Sequence, residues 1–310
     1  MKNIALATDS DHPELHPGFR QFADVLEERG LNPEPVQWTS DTSWSDYDTV
    51  IITSTWDYVQ NFDAYRSWID TLEASSAQVW NPVDVLRWNM NKMYLKDLRE
   101  SNQSIVPSVF LPAGTSVPVN RIVEEKNWSE IVIKPLVGAG ASDLKKFDGE
   151  SLDEAQEWLD RLADNHGAIV QEFQESIREN GEWSFVFFNR EYQYAVKKEP
   201  AQDDYRVQIA HDGTREGEEA PPGLIRQAQS AVDSITKPFL YARVDALANN
   251  GQLQLIEVEM VEPDLYLEYS ENGPEAFADA LEDVTEQGAE IDYFDHAEIQ
   301  TEEINGNTLN

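Results

Sequence analysis

The segment YARVDALANNGQLQLIEVE (241–259) constrains the fold more than any other. It reads as two strands, YARVDAL (241–247) and LQLIEVE (253–259), joined through Asn249-Asn250-Gly251, a hairpin signal. Side chains on a strand alternate between faces, so Tyr241, Arg243, Asp245 and Leu247 share one. On the second strand the same rule groups Leu253, Leu255, Glu257 and Glu259, with Gln254, Ile256 and Val258 opposite. Two carboxylates two residues apart on a strand lie roughly 7 Å apart and point the same way. The hairpin is therefore expected to gather Asp245, Glu257 and Glu259, with Arg243 beside them. Such a cluster needs a cation or must take up protons. Hard oxygen donors favour Mg²⁺, which uses few carboxylates and fills its shell with phosphate oxygens and water. The plainer alternative is a solvated strand face in an acidic chain.

Upstream, strand and helix patterns alternate. NIALA (3–7), residues 34–38 and DTVIIT (48–53) read as strands. GFRQFADVLEER (18–29), stopped by Gly30, and FDAYRSWIDTLE (62–73) read as amphipathic helices. That alternation predicts a parallel α/β unit ending near residue 85. Helices are expected at 88–100, 151–164 and 223–236, and strands at 131–134, 168–173, 182–188 and 191–198. Asn189-Arg190 marks another hairpin.

Asp and Glu number 59 against 23 Lys and Arg, a net charge of −36. Most of such a surface repels nucleic acid and anionic lipid, so neither is an expected partner. Nine Trp, eleven Tyr and twelve Phe argue for a packed fold and against disorder. We read the charge as adaptation to a salty cytoplasm, where the Debye length at molar salt is about 3 Å. The absence of cysteine excludes disulfides and suits a cytoplasmic setting. MKNIALATDS lacks the apolar stretch of a secretory leader, and no run of about eighteen apolar residues suggests a membrane span.

Scarce lysines make their positions informative. Lys134 ends an apolar strand before the small-residue loop GAGAS (138–142). Such a loop exposes amides that can cradle phosphate, and a nearby lysine adds a mobile charge. Lys92 lies early in a helix, Lys198 ends the strand YQYAVKK, and Arg206 follows in DDYRVQ. Taken singly, each lysine reads more simply as a solvated cation. His12, His16, His166 and His211 have no metal-ligand spacing.

In order along the chain, WNPVDVLRWNMNKMYLKDL (80–98), VIKPLVGAGAS (132–142), IVQEF (169–173), GEWSFVFF (181–188), VKKEP with DDYRVQ (196–208), YARVDAL (241–247) and LIEVEMVEPDLYL (255–267) resemble the ATP-grasp superfamily. The likeness is to its glutathione-synthetase-like and cycloserine-synthetase-like ligases. TSTWDYV (53–59) and Glu-x-Glu followed by Glu-Pro resemble the cycloserine-synthetase branch. The resemblance implies an α/β protein of three lobes. An N-terminal parallel α/β lobe (1–85) on the substrate side precedes the small ATP-grasp lobe (86–170) and the large lobe with the metal site (171–285). An acidic tail (286–310) follows.

It also implies roles. Lys92 and Lys134 would contact nucleotide phosphates, and Gly138, Gly140 and Ser142 would form the lid. Gln171, Glu172 and Phe173 would be the adenine hinge, and Glu182 would hold the ribose. Lys198 and Arg206 would hold the phosphoryl group in transfer, and Arg243 the acyl phosphate and tetrahedral intermediate. Asp245, Glu257 and Glu259 would bind one or two Mg²⁺, with Mn²⁺ as a substitute. Many family members have Asn where Glu259 stands. Arg87, Trp56 and Asp57 are candidates for the acceptor site. The implied reaction is ATP-dependent joining of a small-molecule carboxylate to an amine, releasing ADP and phosphate. Its rivals are a small-molecule kinase on the same fold and a nucleotide-binding protein without turnover. A homodimer fits the reading as well as a monomer does.

Overall fold

A computed structural model describes residues 2–140, 143–202 and 204–295, with side chains described as far as residue 285. Strand β1 (Asn3–Thr8), helix α1 (Pro17–Glu28), β2 (Asn32–Gln37), β3 (Thr49–Ile52), α2 (Phe62–Ala74) and β4 (Gln78–Trp80) build a parallel sheet in the order β2-β1-β3-β4. Its inner strands are apolar apart from polar end residues because both faces are covered. Ile4, Leu6 and Ile51 pack on one side with Phe19, Phe22 and Leu26 of α1. Ala5, Ala7, Val50 and Ile52 pack on the other with Tyr65, Trp68 and Leu72 of α2.

The expected helix 88–100 is two helices, α3 (Val83–Asn89) and α4 (Tyr94–Glu100). The break has local and distant causes. Asn91 accepts the Met93 amide at 3.0 Å, and the Lys92 amide donates to the Leu136 carbonyl at 2.9 Å. Lys92 therefore sits in the break, tied to the loop after Lys134, and not within a helix.

Strand β5 (Ser108–Leu111), helix α5 (Val119–Lys126), β6 (Glu130–Pro135), β7 (Lys145–Asp148), α6 (Leu152–Ala163) and β8 (Ala168–Glu172) follow, and their sheet is antiparallel in the order β5-β8-β6-β7. Ile131, Ile133 and Val170 pack under Ile122, Leu159 and Leu162 of the two helices. Alternation leaves Val132, Lys134 and Gln171 for the other face.

Helix α7 (Ser176–Asn180), strands β9 (Glu182–Phe188), β10 (Glu191–Glu199) and β11 (Thr214–Gly217), helix α8 (Pro222–Asp233) and strands β12 (Tyr241–Asn249) and β13 (Gln252–Glu259) complete the set, and the five strands form a sheet in the order β11-β10-β9-β12-β13. Both predicted hairpins form. Their turn residues, Asn189 and Arg190, then Asn250 and Gly251, all have positive φ (43°, 70°, 50° and 76°), as two-residue turns between twisted strands require.

One face of this sheet packs on α8 through Leu224, Ala228 and Val232. Tyr94, Leu95 and Leu98 of α4 join that core, so this helix, expected in the small lobe, packs against the large sheet. Part of the other face meets α1 and helix α9 (Gly273–Asp295), with Phe277 4.4 Å from Phe22 and 4.8 Å from Phe188 between ring centres. The rest of that face is open. Buried Asn81 joins first lobe to large sheet, donating to the carbonyls of Tyr241 and Met260 at 2.8 Å each and accepting the Leu240 amide at 2.7 Å. The expected tail begins inside α9, and residues 296–310 lie outside the described residues.

The strand 253–259 departs from simple alternation. Asp245 pairs with Glu257, but Ala246 pairs with Leu255, so Ile256 is an extra residue in a β-bulge. Leu253 and Leu255 consequently enter the core beside Val258, while Ile256, Glu257 and Glu259 line the open side. A strictly alternating strand would have put two leucines among the carboxylates.

Candidate functional site

A cleft of about 710 Å³ lies between the four-stranded and five-stranded sheets, with Trp56 and Tyr58 of the first lobe at its edge. The sheet register explains its charge pattern. Lys198 stands opposite Glu182 across β10 and β9, and Asp245 stands opposite both Ser184 on β9 and Glu257 on β13. Arg243 is opposite Glu259. Lys134, Lys198 and Arg243 are 3%, 6% and 6% exposed. A buried charge left alone costs several kcal/mol, so each of these cations has found acids.

Lys198 is ion-paired with Glu182 and lies 3.5 Å from Asp245. Arg243 holds Asp245 at 2.9 Å, Glu259 at 2.6 Å and the Asp264 carbonyl at 2.8 Å. The Ser184 hydroxyl donates to Asp245. Lys134 reaches Glu257 at 2.8 Å, and Lys92 lies 3.5 Å from the same carboxylate while donating to the Gly138 carbonyl at 2.6 Å. Burial would raise the Asp245 carboxyl, but Arg243 and Lys198 outweigh it and hold it well below the ordinary range. Burial likewise opposes the charged Lys198, yet Asp245 and Glu182 keep its ammonium firmly protonated. Glu259 differs. Burial pushes its carboxyl up to about 7 against Arg243, and the charges of Asp245 and Glu257 add to the rise.

The three expected metal ligands line one wall of the cleft but do not converge. Among the described residues, the trio whose ligand atoms all lie within 4.8 Å of one another is His16, Asp264 and Glu268. Asp245 and Glu257 are instead drawn to the cations between them. The donors still fit Mg²⁺, which takes hard oxygens and uses only one or two carboxylates. Glu259, half-buried and crowded by like charge, is the carboxylate a divalent cation would most relieve.

Gln171, Glu172 and Phe173 lie at one end of the cleft. Gln171 donates to Ser108 at 2.8 Å, and Phe173 is covered by Tyr205 at 5.7 Å and by the Lys146 ammonium at 4.2 Å. Gly138 and Gly140 border the cleft, and Gly140 has φ +63°, which a larger residue resists. Ser142 lies outside the described residues. Arg206 reaches the cleft but is clamped on Asp204 at 2.8 Å.

Residues 4–81 match the family described as D-cycloserine synthetase DcsG, N-terminal domain. The sequence is 24% identical to the cycloserine biosynthesis protein DcsG of Streptomyces lavendulae over 90% of this chain and 97% of that one. The crystal structure of D-cycloserine synthetase DcsG matches with a TM-score of 0.83 at 23% identity, covering 90% of this chain and 98% of that one. D-alanine–D-alanine ligase from Bacillus anthracis, complexed with ATP, matches with a TM-score of 0.62 at 15% identity over 84% and 87%. The ATP-grasp ligase PsnB, complexed with a phosphomimetic variant of its minimal precursor, Mg and ADP, matches with a TM-score of 0.61 at 14% identity over 89% and 98%. The chain has the ATP-grasp fold. Its three-lobed α/β architecture is the one the resemblance implied, and the two antiparallel sheets of the ATP-grasp fold face each other across the cleft.

Several residues of this ATP-grasp cleft escaped sequence reasoning. Arg215, on the four-residue edge strand β11, pairs with Asp264 at 2.8 Å and lies 5.1 Å from the Tyr266 ring, which Arg243 also faces at 5.0 Å. So short a strand carries no periodic signal. Buried Glu262 also lines the cleft, and only its place in the Glu-Pro pair hinted at it. Of the acceptor-site candidates, Trp56 lines the cleft. Arg87 lies elsewhere, bridging α3 to α2 through Asp70 at 2.7 Å and Glu73 at 2.6 Å. Asp57 accepts the Trp38 indole N–H at 2.6 Å.

Proposed function

We propose that this protein is an ATP-dependent ligase that joins a small-molecule carboxylate to an amine through an acyl phosphate, releasing ADP and phosphate. The observation that carries the reading is the convergence of Lys198 and Arg243 on Asp245 in a buried wall of the ATP-grasp cleft. Two fixed cations there suit an anion in transfer, since preorganised charge need not reorient during the reaction. The relatives named as D-cycloserine synthetase and D-alanine–D-alanine ligase support small-molecule substrates.

A carboxylate is a poor acyl donor because it is anionic and lacks a leaving group. Transfer of the γ-phosphoryl group supplies one. Lys92 and Lys134 would hold the phosphates of the substrate ATP, Gly138 and Gly140 would close over them, and Gln171, Glu172 and Phe173 would receive the adenine. Glu182, besides steadying Lys198, would meet the ribose. Lys198 and Arg206 would hold the phosphoryl group, and Arg243 the oxyanion formed on amine attack. Asp245, Glu257 and Glu259 would hold Mg²⁺, which when bound supplies positive charge at phosphate oxygens. Loop closure would keep water from the acyl phosphate. The lobes would divide at 85 and 170, and the net charge of −36 would suit a salty cytoplasm.

Glu257→Gln removes charge and keeps shape. Turnover at fixed Mg²⁺ should fall at least roughly tenfold, about 1.4 kcal/mol of transition-state stabilisation. The Mg²⁺ concentration for half-maximal rate should rise; because buried Lys134 loses its acid, stability should also drop by about 3–5 kcal/mol, so turnover is read per folded molecule. An unchanged Mg²⁺ requirement would remove Glu257 from the metal site.

The reaction type is tested with Mg-ATP and a panel of amino acids and small carboxylates in concentrated KCl, following every phosphorus species by ³¹P NMR. ADP and inorganic phosphate should appear only with both a carboxylate and an amine, apart from slow leakage. AMP with pyrophosphate would overturn the mechanism, and a stable new phosphate ester would make the protein a kinase. With ¹⁸O in the donor carboxylate, label should depart in the phosphate.

A further inference from the structure

Three carboxylates lining the cleft are buried in the strict sense: Glu182, Asp245 and Glu262. The first two lie against Lys198. Glu262 has no lysine, arginine or histidine within ion-pair distance among the described residues. The Tyr58 hydroxyl lies close enough to the Glu262 carboxyl group for each to act on the other. The Trp56 indole N–H donates to its backbone carbonyl at 2.8 Å, and the Trp56 amide is held by Asp9 at 3.1 Å. The first lobe thus orients an unpaired acid at the edge of the cleft. Glu259, Lys92 and Arg243 lie near enough for their charges to act on it. Without a counter-charge the buried carboxyl group keeps its proton near neutral pH, and an arriving ammonium would favour its charged form. What the arrangement lacks is a cation, and Trp56 and Tyr58 beside it are the ring types that receive an ammonium well.

We infer that Glu262 is the seat of the amine substrate, binding its primary ammonium group and taking the proton that must leave before the nitrogen can attack. The inference rests on the ligase reading and deepens it. In the step itself, the ammonium gives one proton to the Glu262 carboxylate. The freed lone pair forms the N–C bond at the acyl carbon, the C–O bond to phosphate breaks with its electrons, and the second nitrogen proton leaves with the phosphate. Burial, with the charge of Glu259 adding to it, pushes the Glu262 carboxyl up to about 8. That is close to an α-amino group at about 8, so the proton moves between near-matched sites.

The test uses the full chain, Mg-ATP, a donor carboxylate and two nucleophiles: the amine, and hydroxylamine, which is largely uncharged at neutral pH and traps acyl phosphates without prior deprotonation. In Glu262→Gln, amide formation should fall by roughly a hundredfold or more, with the amine KM raised, while hydroxamate formation stays near wild type. Equal losses with both nucleophiles would show a structural role, and unchanged amide formation would show none; either overturns the inference. Tyr58→Phe, which keeps the ring and removes the hydroxyl beside the carboxyl group, should give a smaller loss with the same selectivity for the amine. If Glu262→Gln does not fold, lack of that selectivity in Tyr58→Phe overturns the inference. Hydroxamate from the wild type shows that the ligase reading stands. Its absence with every carboxylate would sink that reading and this one together.

Discussion

Replacing Lys198 with methionine is expected to lower turnover by roughly 10²–10³-fold, the usual effect of removing a fixed charge aimed at a transition state. Lys198 is 6% exposed and serves Glu182 and Asp245 together. The substitution therefore also leaves two buried acids short of a cation, and stability should drop by about 3–5 kcal/mol. The two effects are separable. Thermal melts and the folded fraction report the second, and kcat per folded molecule reports the first. Glu182→Gln is the control. It removes one acid while Lys198 keeps Asp245, so it should raise the KM for ATP more than it lowers kcat. If Lys198→Met loses activity only in proportion to its unfolded fraction, the lysine is an ion-pair partner and nothing more.

The thermal midpoint should rise as KCl goes from dilute to molar. The chain carries a net charge of −36, and screening that reaches only about 3 Å at molar salt removes most of its self-repulsion. An opposing effect exists. Exposed pairs such as Arg121–Glu125 and Arg178–Glu175 weaken in salt. Each contributes about 0–1 kcal/mol, and 23 cations among 59 acids cannot form enough of them to offset the excess. The buried pairs around Lys198 and Arg243 are screened far less. The net gain should be several kcal/mol, or roughly 10 °C at about 2–4 °C per kcal/mol. A midpoint that stays flat or falls would refute adaptation to salt and leave the ligase reading untouched.

The ATP-grasp fold was legible because its motifs follow one another in order along the chain, most of them on a strand or turn and the first across two helices. The charge-bearing face of β12 was legible for the same reason. Tyr241, Arg243, Asp245 and Leu247 sit on an unbroken strand, and two-residue alternation is a property of the local backbone. Glu257 and Glu259 were placed in the cleft correctly, but Leu253 and Leu255 were placed there with them. Asp245, Glu257 and Glu259 were legible as neighbours and not as a cluster, since the lysines and arginine that draw them apart come from three other strand positions.

By itself, the sequence determined the hairpin turns, the parallel first lobe and the shared face of Arg243 and Asp245. Positive φ at Asn-Gly and Asn-Arg, apolar periodicity and the spacing of Lys134 before a small-residue loop act over a few residues, so they are written where they operate. Only the tertiary structure decided where those patterns give way. The bulge at Ile256 depends on the register with Ala246, and the break at Lys92 on the Leu136 carbonyl. The surface place of Arg87 depends on Asp70 and Glu73, and the seat of Glu262 on Trp56, whose indole donates to its carbonyl from the first lobe. Each is settled by the packing of segments far apart in the chain, and a window of neighbouring residues holds no record of the atoms that will meet it there.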